Sequence, residues 1–128
     1  MFAMFEKDYI MRLVKEMVRT LLKLLFNIDT SLPMDEVIKM AEEKVLLEKL
    51  LSMADEGRVC EAENELCEIT ADGDRYYLKT ALIFYYRLAE KGEDFLSEHN
   101  FSMTEVKEGV EMLTERYNIK DLSSVFLE

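Results

Sequence analysis

The sequence predicts an all-α protein of five to six helices, and three observations carry that expectation. Hydrophobic residues make up 49% and charged residues 34% of the 128 positions, a balance that suits amphipathic helices and argues against disorder. Only four Gly and one Pro interrupt the chain, too few for a turn-rich β-sandwich. Apolar residues recur at helical spacing along most of its length. The length suits one domain, 1–128: an amphipathic N-terminal helix at about 6–26, a helical-hairpin body at about 33–117 and a short C-terminal docking turn.

The first helix is read from about Glu6 to Phe26. Ile10, Leu13, Val14, Met17, Leu21 and their neighbours fall within about half the circumference, while Arg12, Lys15, Arg19 and Lys23 form a basic face on the other side. Up to Asn27 the chain carries five Lys/Arg against three Asp/Glu, although its formal net charge is -11. The apolar arc is wider than the ~100° stripe that covers one core, so the helix should meet two neighbours, or one neighbour and another subunit. Val18, Leu22 and Phe26, on the spare edge, are the candidate self-association residues.

Asn27 suits a helix end, Asp29, Thr30 and Ser31 offer N-caps, and Pro33 is tolerated in a first helical turn. The second helix should run from about Pro33 to Ala54, with a bend near Glu42-Glu43-Lys44, and Gly57 should close it in the left-handed region. A third, short and acidic, spans about Val59–Thr70, and Asp72-Gly73-Asp74 ends it. The fourth, about Arg75–Lys91, is apolar nearly all round and belongs at the centre of the fold. Its residues Tyr76, Ile83 and Tyr86 fall outside the main apolar arc. They are either core against another helix or candidate partner-binding residues.

Phe95 and Leu96 begin a connector, after which FSMTEV holds the best local signal. Ser102 and Glu105 form an S-x-x-E capping box, and Phe101 and Val106 have the positions of a hydrophobic staple, so a fifth helix starts at Met103 and ends at Asn118. Leu122, Val125 and Phe126 suggest a last docking turn. Laying Gly57 on Gly92, 35 positions later, aligns LEKLLSMADEG with LIFYYRLAEKG. The middle of the chain is thereby weakly similar to tetratricopeptide-type helix-turn-helix repeats, with an antiparallel bundle as the alternative packing.

FEKDYIMRLVKEMVRTLLKLLFN near the start and HNFSMTEVKEGVEML near the end resemble the two signature segments of a family of short acidic bacterial proteins known only as a domain of unknown function. The resemblance covers nearly the whole chain and implies no activity.

Little in the sequence points to chemistry. The single His99 lies between two helices without a Glu three residues before it, so a di-iron carboxylate motif is missing. Asp72-Gly73-Asp74 lacks the alternating ligands of a calcium loop, and Glu61, Glu65 and Glu68 read as a solvated face. Cys60 and Cys67 lie two turns, roughly 10 Å, apart on one helix, beyond disulfide reach, and read as free thiols. No phosphate loop, zinc spacing or nucleophile elbow occurs, so no catalytic residue, metal or cofactor is expected.

The negative charge opposes nucleic acid. The apolar runs fall short of the roughly 18 residues a bilayer crossing needs, and no secretory leader is evident, so a cytoplasmic protein is expected. The resulting expectation is a non-enzymatic protein-interaction module that self-associates, most simply as a homodimer. The alternative is a peripheral membrane-surface protein anchored by the basic face of the first helix, opposed by a net charge of -13 on residues 28–128. A pocket among Tyr77, Phe84 and Tyr85 for a small molecule is a third option.

Overall fold

The computed structural model of the protein describes residues 2–28, 33, 36, 44–71 and 77–117, with side chains from Tyr9 onward. Six helices are described in chain order: α1 Phe2–Phe26, α2 Lys44–Asp55, α3 Val59–Ile69, α4 Leu78–Lys91, α5 Glu93–Glu98 and α6 Met103–Arg116. The described residues contain no strand, and the fold is all-α. The bend near Glu42, the Asp72-Gly73-Asp74 turn, Tyr76, the Asn118 cap and the docking turn at Leu122, Val125 and Phe126 lie outside the described residues.

α4 is the hub. Ten of its fourteen residues are buried, and α1, α2, α5 and α6 all pack against it. Its nearly all-apolar circumference leaves no face that water would solvate well, so the remaining helices supply the cover. α1 lies along both α4 and α6, which accounts for its wide apolar arc. Val14, Met17, Val18, Leu21 and Leu22 are each buried to within 2% of completeness, and full burial of side chains this size stabilises by about 1.5–3 kcal/mol apiece. α1 and α4 run antiparallel, as Arg19 meets Tyr86 and Phe26 meets Lys79.

Turn chemistry sets the joints. Asn27 ends α1 at φ 56°, and the Pro33 carbonyl accepts from the Glu36 N–H at 3.0 Å in a first helical turn. Gly57 follows α2 at φ 89°, and Gly92 follows α4 at φ 86°. Gly57 is doubly constrained: a Cβ there would come within 2.5 Å of His99 Cδ2 and Nε2, because the α2–α3 turn packs closely on the α5–α6 junction. His99 Nδ1–H donates to the Phe95 carbonyl at 2.8 Å, and its ring lies 4.5 Å from that of Phe95.

The predicted connector at Phe95 and Leu96 is instead a helix, α5: Glu93 and Asp94 favour its N-terminus, and Leu96 buries fully against the body. α6 begins where expected. Ser102 is extended, and its Oγ accepts from the Glu105 N–H at 3.1 Å. Glu93 Oε2 accepts from the Met103 N–H at 2.7 Å, so a second otherwise unpaired donor of that helix start is met from α5. Phe101 and Val106, the staple pair, are both buried.

Candidate functional site

At ~100° per residue, Arg12, Lys15, Arg19 and Lys23 fall within about 80° of one another on the outer face of α1, away from the buried Val14–Leu22 arc. Aromatic rings of the body hold part of this stripe in place. Arg19 Nε donates to the Tyr86 hydroxyl at 2.9 Å, with its guanidinium carbon 4.9 Å from that ring's centroid. Lys15 Nζ lies 5.6 Å from the same centroid, and Lys79 Nζ, from α4, lies 5.2 Å from that of Phe26. Cations over ring faces are attracted by the ring quadrupole, which leaves Lys15 and Arg19 half-buried while Arg12 and Lys23 stand in solvent. Tyr9, about 40° beyond Lys23 around the helix, and Leu24, about 100° beyond it on the flank, are 61% and 58% exposed. Glu16 is the acid that interrupts the stripe.

The residues expected at a self-association edge sit mainly inside the single chain. Val18 and Leu22 are covered by the chain itself, because α1 packs on two helices rather than one, and Phe26 is half-buried beside Lys79. Val18 and Leu22 are not surface residues, and Phe26 is one in part. Ile83 and Tyr86 are core as well, 0% and 3% exposed, since the part of α4 outside its main arc faces α1. Tyr76, the third of that set, lies outside the described residues.

On another side of the molecule α3 and α6 flank a cleft of about 360 Å³, lined by Glu63, Cys67, Glu105, Glu108, Gly109 and Met112. Gly109 makes it possible, because a Cβ there would collide with the Tyr85 ring that runs beneath α6. The Tyr85 hydroxyl donates to Glu63 Oε2 at 3.0 Å. Burial raises the Glu63 carboxyl above the usual range; the Tyr85 hydrogen bond pulls it down and Glu105 adds to the rise. The same burial, with Glu63, raises the Tyr85 phenol. Gly109 and Glu63 carried one faint sequence signal, an isolated glycine inside a helical pattern.

The thiols are free, Cys60 exposed and Cys67 half-buried. Burial and neighbouring carboxylates push both above the ordinary thiol range, the reverse of what a nucleophilic cysteine needs. Cys60 Sγ lies 3.5 Å from the Asn100 carbonyl, near the Gly57–His99 contact. Glu61 is engaged by Arg58 at 2.9 Å and Glu65 by Lys49 at 2.6 Å. Phe84 and Tyr85 meet edge-on at 5.5 Å inside the core, so they fill it rather than open a pocket beside Tyr77. A second cleft, between α2 and α4, is walled by the Lys91–Asp55 ion pair and by Arg87 with Glu90 at 3.3 Å. Among the described residues no helix is long and apolar enough to cross a membrane.

No curated protein and no solved structure matches the chain. A family model described as a family of unknown function, DUF6483, matches residues 4–118.

Proposed function

The chain belongs to the DUF6483 family of unknown function, and from that premise we propose that it is a non-enzymatic helical module that contacts other protein chains, its own copies included, through the outer face of α1. One observation carries the reading: on a chain of net charge -11, α1 presents a basic stripe, fixed in part on Tyr86, with the exposed Tyr9 beside it and the exposed Leu24 on its flank. Exposed aromatic and apolar residues beside fixed cations have the make-up of an interface centre and rim. Tyr9 and Leu24 contribute little to the fold, so changing both to Ser should weaken association while leaving the melting temperature nearly unchanged. Sedimentation or light scattering measures the first and a thermal melt the second. A wild-type chain that stays monomeric at high micromolar concentration and captures no partner overturns the reading.

The same stripe favours one second reading, attachment to an anionic membrane surface, with each nearby Lys or Arg contributing about 1 kcal/mol. Against it stand the acidic body and the apolar face of α1, which is committed to the core. Pelleting with anionic vesicles separates the two readings. In keeping with a cytoplasmic bacterial module, we read the α2–α3 and α4–α6 pairs as tetratricopeptide-like hairpins. Gly57 and Gly92 both end a helix at positive φ, and Lys91 pairs with Asp55, which brings the C-terminal ends of α2 and α4 side by side.

A further inference from the structure

We propose that the basic stripe of α1 docks into the acidic α3–α6 cleft of a second copy, so that copies associate head to tail through two different surfaces. The inference rests on the self-association read above and names its mode. Residues 1–27 carry a net charge of +2 and residues 28–128 a net charge of -13, so the chain is electrically polarised along its own sequence. The fold keeps that polarity. α1 meets α6 through its buried arc, which turns the stripe away from its own chain's cleft and toward other molecules.

The two surfaces match in spacing and in need. From Arg12 to Lys23 the stripe runs about 16 Å at 1.5 Å per residue, and the acids of α6 from Glu105 to Glu115 run about 15 Å. Lys107 lies 3.9 Å from Glu111, and Arg116, whose Nη1 donates to the neutral Thr70 Oγ1 at 2.9 Å, acts through its charge on Cys67 and Tyr85 but does not line the cleft. Glu63, Glu105 and Glu108 therefore share a cleft whose described lining holds no basic residue. Burial and the Glu105 charge disfavour ionised Glu63 there while the Tyr85 hydrogen bond favours it, and an incoming Lys or Arg would offset the like-charge repulsion from Glu105. The cleft is the size of one long cationic side chain rather than of a helix, so it takes an end of the stripe, Arg12 or Lys23, with Met112 against the aliphatic stem, while the other end lies along the outer acids of α6. Because the patches differ, the contact is heterologous: it forms a ring if the rotation closes and an open chain if it does not.

Two full-length variants test this by sedimentation velocity, Arg12→Glu with Lys23→Glu and Glu105→Lys with Glu108→Lys, all at exposed positions. The wild type should associate at about 0.05 M salt and dissociate by about 0.5 M, where the screening length drops to a few ångströms. Each variant alone should be monomeric, and an equimolar mixture should associate again, because the intact stripe of one faces the intact cleft of the other and the two reversed surfaces are also of opposite charge. A wild type that associates while the mixture does not overturns the head-to-tail mode and leaves self-association standing. A wild type monomeric at low salt and high micromolar concentration overturns both, as does assembly seen only on anionic vesicles. Should a charge reversal abolish the cooperative melt, the neutral pairs Arg12→Gln with Lys23→Gln and Glu105→Gln with Glu108→Gln replace it. Each is expected to weaken association about tenfold, and unchanged association overturns the proposal.

Discussion

Ser102 shows how much one hydroxyl does at a helix start. Replacing it with Ala removes the acceptor of the Glu105 N–H and should cost about 1 kcal/mol in chemical denaturation, while Lys107→Gln, in a long, half-buried ion pair, should cost well under half that. Gly109 tests a steeper constraint. In a free helix Gly→Ala would stabilise by about 1 kcal/mol, but here the added methyl meets the Tyr85 ring, so Gly109→Ala should instead destabilise by about 1–3 kcal/mol. A more stable variant would mean that the ring can move aside. Glu63 gives a pH dependence whose sign follows from its raised carboxyl. The folded chain binds that proton more readily than the unfolded chain does. The resulting stability is fully present below the ordinary carboxylate range and is lost as pH rises through the folded value. The melting temperature of the wild type minus that of Glu63→Gln should therefore fall from about pH 4 to pH 7; a rising difference would contradict the burial argument.

Between α1 and α4 the decisive quantity is cover. Val18→Glu would place a charge at a site with no solvent exposure, so a folded monomer is not its expected product: far-ultraviolet circular dichroism should show loss of the cooperative transition. Tyr86→Ala removes a buried ring together with the acceptor of Arg19 and the platform of Lys15, and should cost about 3 kcal/mol or more by denaturant titration. The helices themselves were legible because their signals are local. The periodicity of α1, the left-handed Asn27 and Gly57, and the Ser102 cap each depend on residues within a turn or two of one another. What covers a face is not local. Val18 and Leu22 looked spare because periodicity measures the width of an apolar arc but cannot count the helices that meet it. The cleft was illegible for the same reason. Glu63, Gly109 and the Tyr85 ring are distant in sequence, and only the crossing of α3, α4 and α6 puts them together. α5 was missed because six residues are too few to display a helical period.

At the scale of the whole molecule, charge and connectivity act together. The positive α1 is held on a body that is negative elsewhere, and the salt dependence expected of the proposed assembly would be the outward sign of that separation. The placement of α4 at the hub has a further consequence, for the order of synthesis. α1 leaves the ribosome first, yet its principal cover, α4, is complete only at Lys91, about 70 residues after Leu22. At 5–20 residues per second the apolar arc of α1 waits roughly 3–14 seconds for that partner, and longer for α6. A nascent chain arrested with Ala71 as its last residue should thus leave Met17 and Leu21 open to a protease or a holding chaperone. Arrest far enough downstream for α6 to emerge should close them.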